Sequence, residues 1–448
     1  MKQTVDKYRV FLCALLAAVV LTACDNGVHD DEYPLPEGQG GLLVGLRSDT
    51  GVSDLTLYLF DSEGATALRK DYTDPRTLAS GHIPVEAGTY TIVVVANVVA
   101  DDLPQHTTPA DLAEWLRENA TAYPSMLTAS SQEELRAGEV SRVLLTLRGG
   151  TSGIALSTVR LLLTVPGKEM PPYTPTRATD GATPRLRCVA EVYRQGTTTR
   201  VHRRVQLCDA QADGTYRAEL SLLPGDYDIR LWADWMTDGT TNDKYYNADD
   251  LSAVTVLTDN YAANGLTDEK DAYYATPSAT VSAESRDVNV ELTRPFARYR
   301  IIANDVEGYL NLIAKGDDLP PIDDLTVSVS YEGFFPTTFN VATGKPFDSL
   351  TGIGYAADIV EADGYAPEEA RQVGADFVLT NGEESFVTVT VRMLDKHTGE
   401  VISTVSGIRV PYRCGCLTTV SGTFLTAGRT SGGVRIDTDW GDEIVIPF

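Results

Sequence analysis

The sequence predicts a mainly β protein: tandem antiparallel β-sandwich domains with a few short helices. Three observations carry this. Short apolar runs alternate with period two, as Leu55, Leu57 and Leu59 do against Thr56, Tyr58 and Phe60. Turn residues punctuate them at regular spacing, beginning with Asp61-Ser62-Glu63-Gly64. Only one strong helical pattern interrupts them, and many short strands with few helices are the mark of sandwiches rather than of α/β folds.

The first stretch is an address rather than a fold element. Lys2, Lys7 and Arg9 precede the apolar run Val10 to Ala23, the basic and hydrophobic regions of a secretory signal over residues 1–23. That run is too short to span a bilayer as a helix, which takes about 20 residues. Leu21-Thr22-Ala23-Cys24 resembles the lipobox of bacterial lipoproteins. The resemblance implies cleavage between Ala23 and Cys24 and acylation of Cys24, which becomes the N-terminus held by outer-membrane lipid. Acyl chains at about 0.8 kcal/mol per buried methylene anchor a protein without a spanning helix. Residues 24–40 read as a flexible acidic tether, with Asp30, Asp31 and Glu32, two prolines, several glycines and no periodicity. Acids close behind a lipidated cysteine also resemble the export signal of Bacteroidota lipoproteins, implying an outer-membrane location facing the cell exterior.

The chain of 448 residues has a formal net charge of −26, and loss of its basic leader takes it to −28. A charge of that sign disfavours nucleic acid and anionic headgroups as partners. Beyond Ala23 no run of 18 apolar residues occurs.

Residues 41–149 form the first expected sandwich. Its strands include 55–60, Thr91–Val98 and Val143–Leu147, and its helix begins where Thr108 caps, Pro109 takes the first turn, and Leu112, Trp115 and Leu116 make the apolar stripe. Residues 150–294 form the second, with strands near Val159–Val165, Leu186–Tyr193, Val201–Leu207, Tyr216–Leu222, Asp226–Ala233 and Val288–Leu292. A repeat links the two: Gly88-Thr89-Tyr90 and Gly225-Asp226-Tyr227 lie 137 residues apart, each just before a strand. Glycine admits the turn and the tyrosine folds back so that its hydroxyl meets a backbone partner, a sandwich feature. Residues 295–448 form the third, where Leu325 to Tyr331 and Val387 to Met393 alternate most cleanly, with threonine, serine and arginine on a wet side. Val306–Ala314 and Pro367–Val373 read as short helices. The second and third blocks either fold separately or share one core.

Four cysteines remain once Cys13 is lost with the leader and Cys24 is acylated. With a hairpin turning about Thr198, Cys188 and Cys208 fall opposite one another. A cross-strand disulfide and a pair of buried free thiols both fit that placement. Cys414 and Cys416 share a strand face across Gly415 and lack a second ligand pair for zinc.

Leu57-Tyr58-Leu59-Phe60-Asp61-Ser62-Glu63-Gly64, the run Leu292 to Arg300, and the run Leu417 to Thr426 resemble the fimbrillin and minor fimbrial anchor lipoproteins of Bacteroidota. The segment around Ala233-Asp234-Trp235 and Asp243-Lys244-Tyr245-Tyr246-Asn247 resembles an uncharacterised domain common in those lipoproteins. The resemblance implies transthyretin-like/Ig-like sandwiches, a lipid-anchored precursor, and assembly by a β-strand donated to a neighbour's groove. Arg47, just after Leu42 to Leu46, is the candidate protease-processing site for releasing a first strand. The expectation preferred here is that this strand stays in place.

Chemistry is sparse. Five histidines are scattered without ligand or triad spacing, and no nucleophile elbow, P-loop or dinucleotide fingerprint occurs. Asp437, Asp439 and Asp442 alternate as calcium ligands do but lack the closing glutamate, so neither metal nor cofactor is expected. Trp232, Trp235, Tyr245 and Tyr246 are candidate glycan-stacking residues, with a layer capping the sandwich end as the competing reading. The expected function is a non-catalytic, lipid-anchored cell-surface protein of the fimbrial superfamily, an anchor, accessory subunit or adhesin whose partners are fimbrial subunits or host or glycan ligands. The alternative is a glycan-binding surface lipoprotein of a polysaccharide-capture system.

Overall fold

The computed structural model describes residues 35–154, 157–166, 184–263, 266–282, 286–380, 384–438 and 444–447. It is mainly β and repeats one arrangement three times. In the first copy, β1 (Gln39–Arg47), β2 (Leu55–Phe60), β3 (Thr66–Tyr72), β4 (Ile83–Glu86), β5 (Gly88–Ala96), β6 (Leu127–Leu135) and β7 (Val140–Thr146) build two sheets. One has the order β4-β1-β7; the other runs β3-β2-β5-β6 and ends on the short strand Arg148–Gly149. β1 is antiparallel to β4 and parallel to β7, so the first strand is the centre of its sheet.

The second copy places Ser157–Thr164 between Tyr216–Leu222, antiparallel, and Arg286–Glu291, parallel. Its facing sheet pairs Arg200–Leu207, Arg185–Arg194 and Gly225–Met236 in that order, with Ala272–Ala275 and Ser278–Val281 both on the last. The third copy places Phe296–Ala303 between Arg371–Leu379, antiparallel, and Leu417–Gly422, parallel, and extends that sheet with Gly433–Thr438 and Ile444–Pro447. A first strand held between one antiparallel and one parallel neighbour is the transthyretin-like sandwich expected from the resemblance.

Packing explains the sequence patterns. Leu42, Val44, Leu57, Leu59, Ile92 and Val94 fill the first interior. β2 is nevertheless buried on both faces, because helix α1 (Pro109–Glu118) lays Leu112, Ala113 and Leu116 over Tyr58, Phe60, Val93 and Val95. Thr108 caps that helix, its Oγ1 accepting from the Asp111 N–H at 3.2 Å. Both glycine-tyrosine corners form: Tyr90 donates to the Glu86 carbonyl at 3.0 Å and Tyr227 to the Leu223 carbonyl at 2.9 Å. They open equivalent strands of the first two sandwiches.

The second sandwich has its own interior, from Val159 and Leu161 to Val290. The outer face of its sheet, through Val189, Trp232 and Ala272, joins Tyr245 to Tyr261 and the interior of the third sandwich in one continuous apolar cluster. Val306–Ala314 is the expected helix. Pro367–Val373 is not: a single turn over Ala366 to Ala370 runs straight into the strand that begins at Arg371.

Candidate functional site

The element with functional potential in the first sandwich is β1 and the seat it occupies. Its pairing runs from Gln39 to Leu42 against β4 and from Gly41 to Arg47 against β7. Alternation sends Leu42 and Val44 inward, where they are 0 % and 1 % exposed. Each such side chain contributes about 1.5–3 kcal/mol by burial. Arg47 ends the strand with an exposed side chain, while its carbonyl accepts from the Leu147 N–H at 2.9 Å. A protease needs an extended, unpaired segment, so the Arg47–Ser48 bond is protected on one side and leads on the other, through a half-buried Ser48, into the exposed residues 49–51. Ala23 and Cys24 lie outside the described residues, as do Asp439 and Asp442.

Cys188 and Cys208 are both buried and both free thiols. The register differs from the expected one: the hairpin turns ahead of Thr198, with Tyr193 opposite Arg200, and even after a bulge at Val192/Tyr193 Cys188 pairs with Gln206. Cys208 is therefore a diagonal rather than a direct neighbour, with its N–H bonded to the Leu186 carbonyl at 2.7 Å. The two thiols still meet, and the hydrogen bond to Cys188, reinforced by burial, pushes the Cys208 thiol far above its ordinary range.

The aromatic set corrects a sequence expectation. Trp232, Trp235, Tyr245 and Tyr246 are 0 %, 7 %, 3 % and 1 % exposed, and a ring with no free face cannot stack on a sugar. Trp232 instead packs edge-on against Tyr246 and Phe296, with centroids at 5.3 and 6.4 Å. Trp232, Tyr245 and Tyr246 are core because the segment after Met236 folds back over the outer face of the sheet, whereas Trp235 points into the second sandwich's own interior, edge-on to Tyr216.

Ion pairs fasten that segment, and the sequence reading missed them. Arg187, on the same outer face, grips Asp234 through two bonds of 2.7 and 2.6 Å, Asp243 at 2.7 Å and the Thr241 carbonyl at 2.9 Å. Burial holds the Asp234 carboxyl above its ordinary range, with Arg187 opposing. Arg294 pairs with Asp271 at 3.0 Å, and Lys270 with Asp376 at 3.2 Å beneath the Tyr261 ring. Burial lowers Lys270 and raises Asp271, each against its partner's pull. Lys270–Asp376 fastens the second block to the third, while the Arg187 and Arg294 pairs fasten segments within the second. The seam between the first two sandwiches is also polar: Glu191, wholly buried, accepts from Arg200 at 2.8 Å and from the Tyr193 hydroxyl at 2.6 Å, and the Arg203 N–H reaches the Ser62 carbonyl at 2.7 Å.

Among the described residues no group of three or more His, Cys, Asp or Glu side chains is placed to hold a metal ion. No helix among them is long and apolar enough to cross a membrane.

Two family models match the sequence. Residues 45–140 match the family model of the major fimbrial subunit protein (FimA). Residues 151–447 match a family of unknown function (DUF6562). Among curated proteins no relative matches the sequence. Similar solved structures include the fimbrial anchor protein Mfa2 of Porphyromonas gingivalis, 13% identical, covering 65% of this chain and 99% of its own, at a TM-score of 0.33. A fimbrial assembly protein of Parabacteroides distasonis is 10% identical, with 65% and 98% covered and a TM-score of 0.31. A candidate polysaccharide-binding protein of Bacteroides thetaiotaomicron gives 10%, 65%, 98% and 0.38 in the same order. The family match extends over more than half of the chain, from the start of the second sandwich to the last strand, and the chain belongs to the family of unknown function DUF6562, joined to a first sandwich that matches the model of the major fimbrial subunit protein.

Proposed function

We propose that this chain is a non-catalytic, lipid-anchored cell-surface protein that serves as an anchor, accessory subunit or adhesin of a fimbrial system. The observation that carries the reading is β1, seated at the centre of its sheet in the sandwich that matches the major fimbrial subunit protein. A strand so placed is the piece a polymerising subunit would have to surrender, and here it is paired along both edges and buried through Leu42 and Val44. An intact β1 also keeps residues 24–38 continuous with the first sandwich, which suits a protein tethered through an acylated Cys24 on the outer membrane. Division at about Gly149 and Thr293–Arg294 into three sandwiches belongs to the same proposal.

Labelling with palmitate tests it, comparing wild type with Cys24→Ala, together with protease shaving of intact cells. Label that depends on Cys24 and a chain that shaving removes are the expected results. An unlabelled wild type, or one resistant to shaving, removes the surface-lipoprotein claim. Glycan capture is the second reading, favoured by the polysaccharide-binding description of one similar structure. Burial of Trp232, Trp235, Tyr245 and Tyr246 moves any sugar site to another place on the molecule.

A further inference from the structure

The seam between the first and second sandwiches holds an open cavity of about 420 Å³, within the ~300–1,000 Å³ range of small-molecule sites, which favour such junctions. One wall comes from β6 and β7, the other from Arg194 and the turn before Gly225. The chain carries 63 acidic residues against 37 lysines and arginines, yet the lining holds two arginines, Arg148 and Arg194, and no carboxylate. Arg148 is exposed and has no ion-pair partner among the described residues.

Gln132 sits in the wall at 9 % exposure. Its Nε2 donates to the Val201 carbonyl at 3.0 Å, and its backbone carbonyl accepts from Arg194 Nη2 at 3.0 Å. Its Oε1 is buried with no hydrogen-bond partner among the described residues, an arrangement that is costly unless a donor reaches it. Ser130 and Ser152 donate their hydroxyl protons to the carbonyls of Gly153 and Gly149 at 2.9 and 2.6 Å, so towards the cavity they offer lone pairs. Leu144, 63 % exposed, adds an apolar wall. The rim is held by close approach: a Cβ on Gly153 would stand 1.8 Å from the Thr128 carbonyl oxygen.

We propose that this cavity binds an acidic saccharide, a hexuronate unit or a short uronate oligosaccharide. The carboxylate pairs with Arg148 and Arg194, whose planar guanidinium groups suit it. A sugar hydroxyl donates to Gln132 Oε1, others donate to the serine oxygens, and the C–H face of the ring rests on Leu144. The adjoining hollow of about 390 Å³ shares Gln132 and Arg194 with this cavity and adds Glu133 and Glu134, which repel the carboxylate there and leave the Arg148 side as its place. This proposal goes beyond the anchor reading and does not depend on it, since lipid labelling and sugar binding are measured separately.

Titration calorimetry on the full-length chain in detergent, with digalacturonate against lactose as the neutral counterpart, tests it. The expected result is that digalacturonate binds at least tenfold more tightly than lactose. Arg148→Gln should lose at least tenfold of the digalacturonate affinity. Arg76→Gln, which removes the same charge at a side chain 94% exposed elsewhere, should bind as wild type does. Leu144→Asp, an exposed site whose change leaves the core intact, should weaken binding by at least tenfold through repulsion. No digalacturonate binding by wild type, equal binding of the two sugars, or an Arg148→Gln variant that binds like wild type each overturns the assignment.

Discussion

Replacing Arg187 by methionine isolates the strongest fastener between the second sandwich and the segment that covers it. Arg187 and Asp234 side chains are each 1% exposed, and removing the arginine leaves Asp234, among the described residues, with only the Trp232 Nε1–H, at 3.4 Å. Stranding one member of a buried pair costs about 3–5 kcal/mol. Arg187→Met should therefore lower the urea midpoint followed by tryptophan fluorescence, since Trp232 touches the orphaned carboxylate. Removing Asp234 as well removes the stranded charge, so Arg187→Met with Asp234→Leu should recover most of the loss; Asp243, 24% exposed, can hydrate and still accepts from the Ala248 N–H. The pH dependence has a definite sign. Burial already raises the Asp234 carboxyl above its unfolded value, and loss of Arg187 raises it further. A group raised on folding favours the folded state below its folded pKa and loses that contribution as pH rises through it, so the single variant should be least stable, relative to wild type, at alkaline pH. A double variant no more stable than the single one, or a single variant indistinguishable from wild type, would refute the reasoning.

Other expectations concern separate sites. His202 is lowered to about 4 by burial and by Arg204; the unfolded chain takes up a proton near pH 6.5 and the folded chain does not, so stability should fall between pH 6.5 and 4 by at most about 3 kcal/mol. His202→Gln should flatten that slope in urea titrations across the range. Tyr227→Phe removes the hydroxyl bonded to the Leu223 carbonyl and should cost about 1 kcal/mol without a change of fold, read from the urea midpoint and the circular dichroism spectrum. Cys188 and Cys208, buried with the Cys208 thiol raised, should react slowly with iodoacetamide in the native protein and fully after unfolding. A chain two hydrogens lighter that resists alkylation when unfolded would identify an oxidised pair instead.

Local rules read much of the fold. The alternation of Leu325 to Tyr331 is a strand with the expected inward set, and the cap and proline at Thr108 and Pro109 mark the start of α1. Two tyrosine corners were visible as a repeat because turn, ring and strand all lie within a few residues. Long-range placement was not legible. Val254–Val256 pairs with Phe335–Asn340 across some eighty residues, and no period in the sequence announces such a partner. That same cover turns Trp232, Tyr245 and Tyr246 from exposed rings into core, while Trp235 lies in the second sandwich's own interior, a difference composition cannot express. One available signal went unused: Arg187, Val189 and Glu191 share the strand face opposite Leu186 and Cys188, and Val189 in that row already marks it as covered. The cysteine register slipped because the hairpin turns ahead of Thr198, with Tyr193 opposite Arg200, and the bulge at Val192/Tyr193 recovers only one residue of the difference, which spacing alone does not reveal. The cavity at Gln132 forms only where two sandwiches meet, so neither half shows it.

The N-terminus of the mature protein recovered from cells tests the central claim most directly. Mass spectrometry of the N-terminal peptide should find an acylated Cys24 continuous with an intact β1 through Arg47. A new terminus at Ser48, found in SDS-resistant ladders, would contradict the account and make the chain a polymerising subunit that surrenders its first strand.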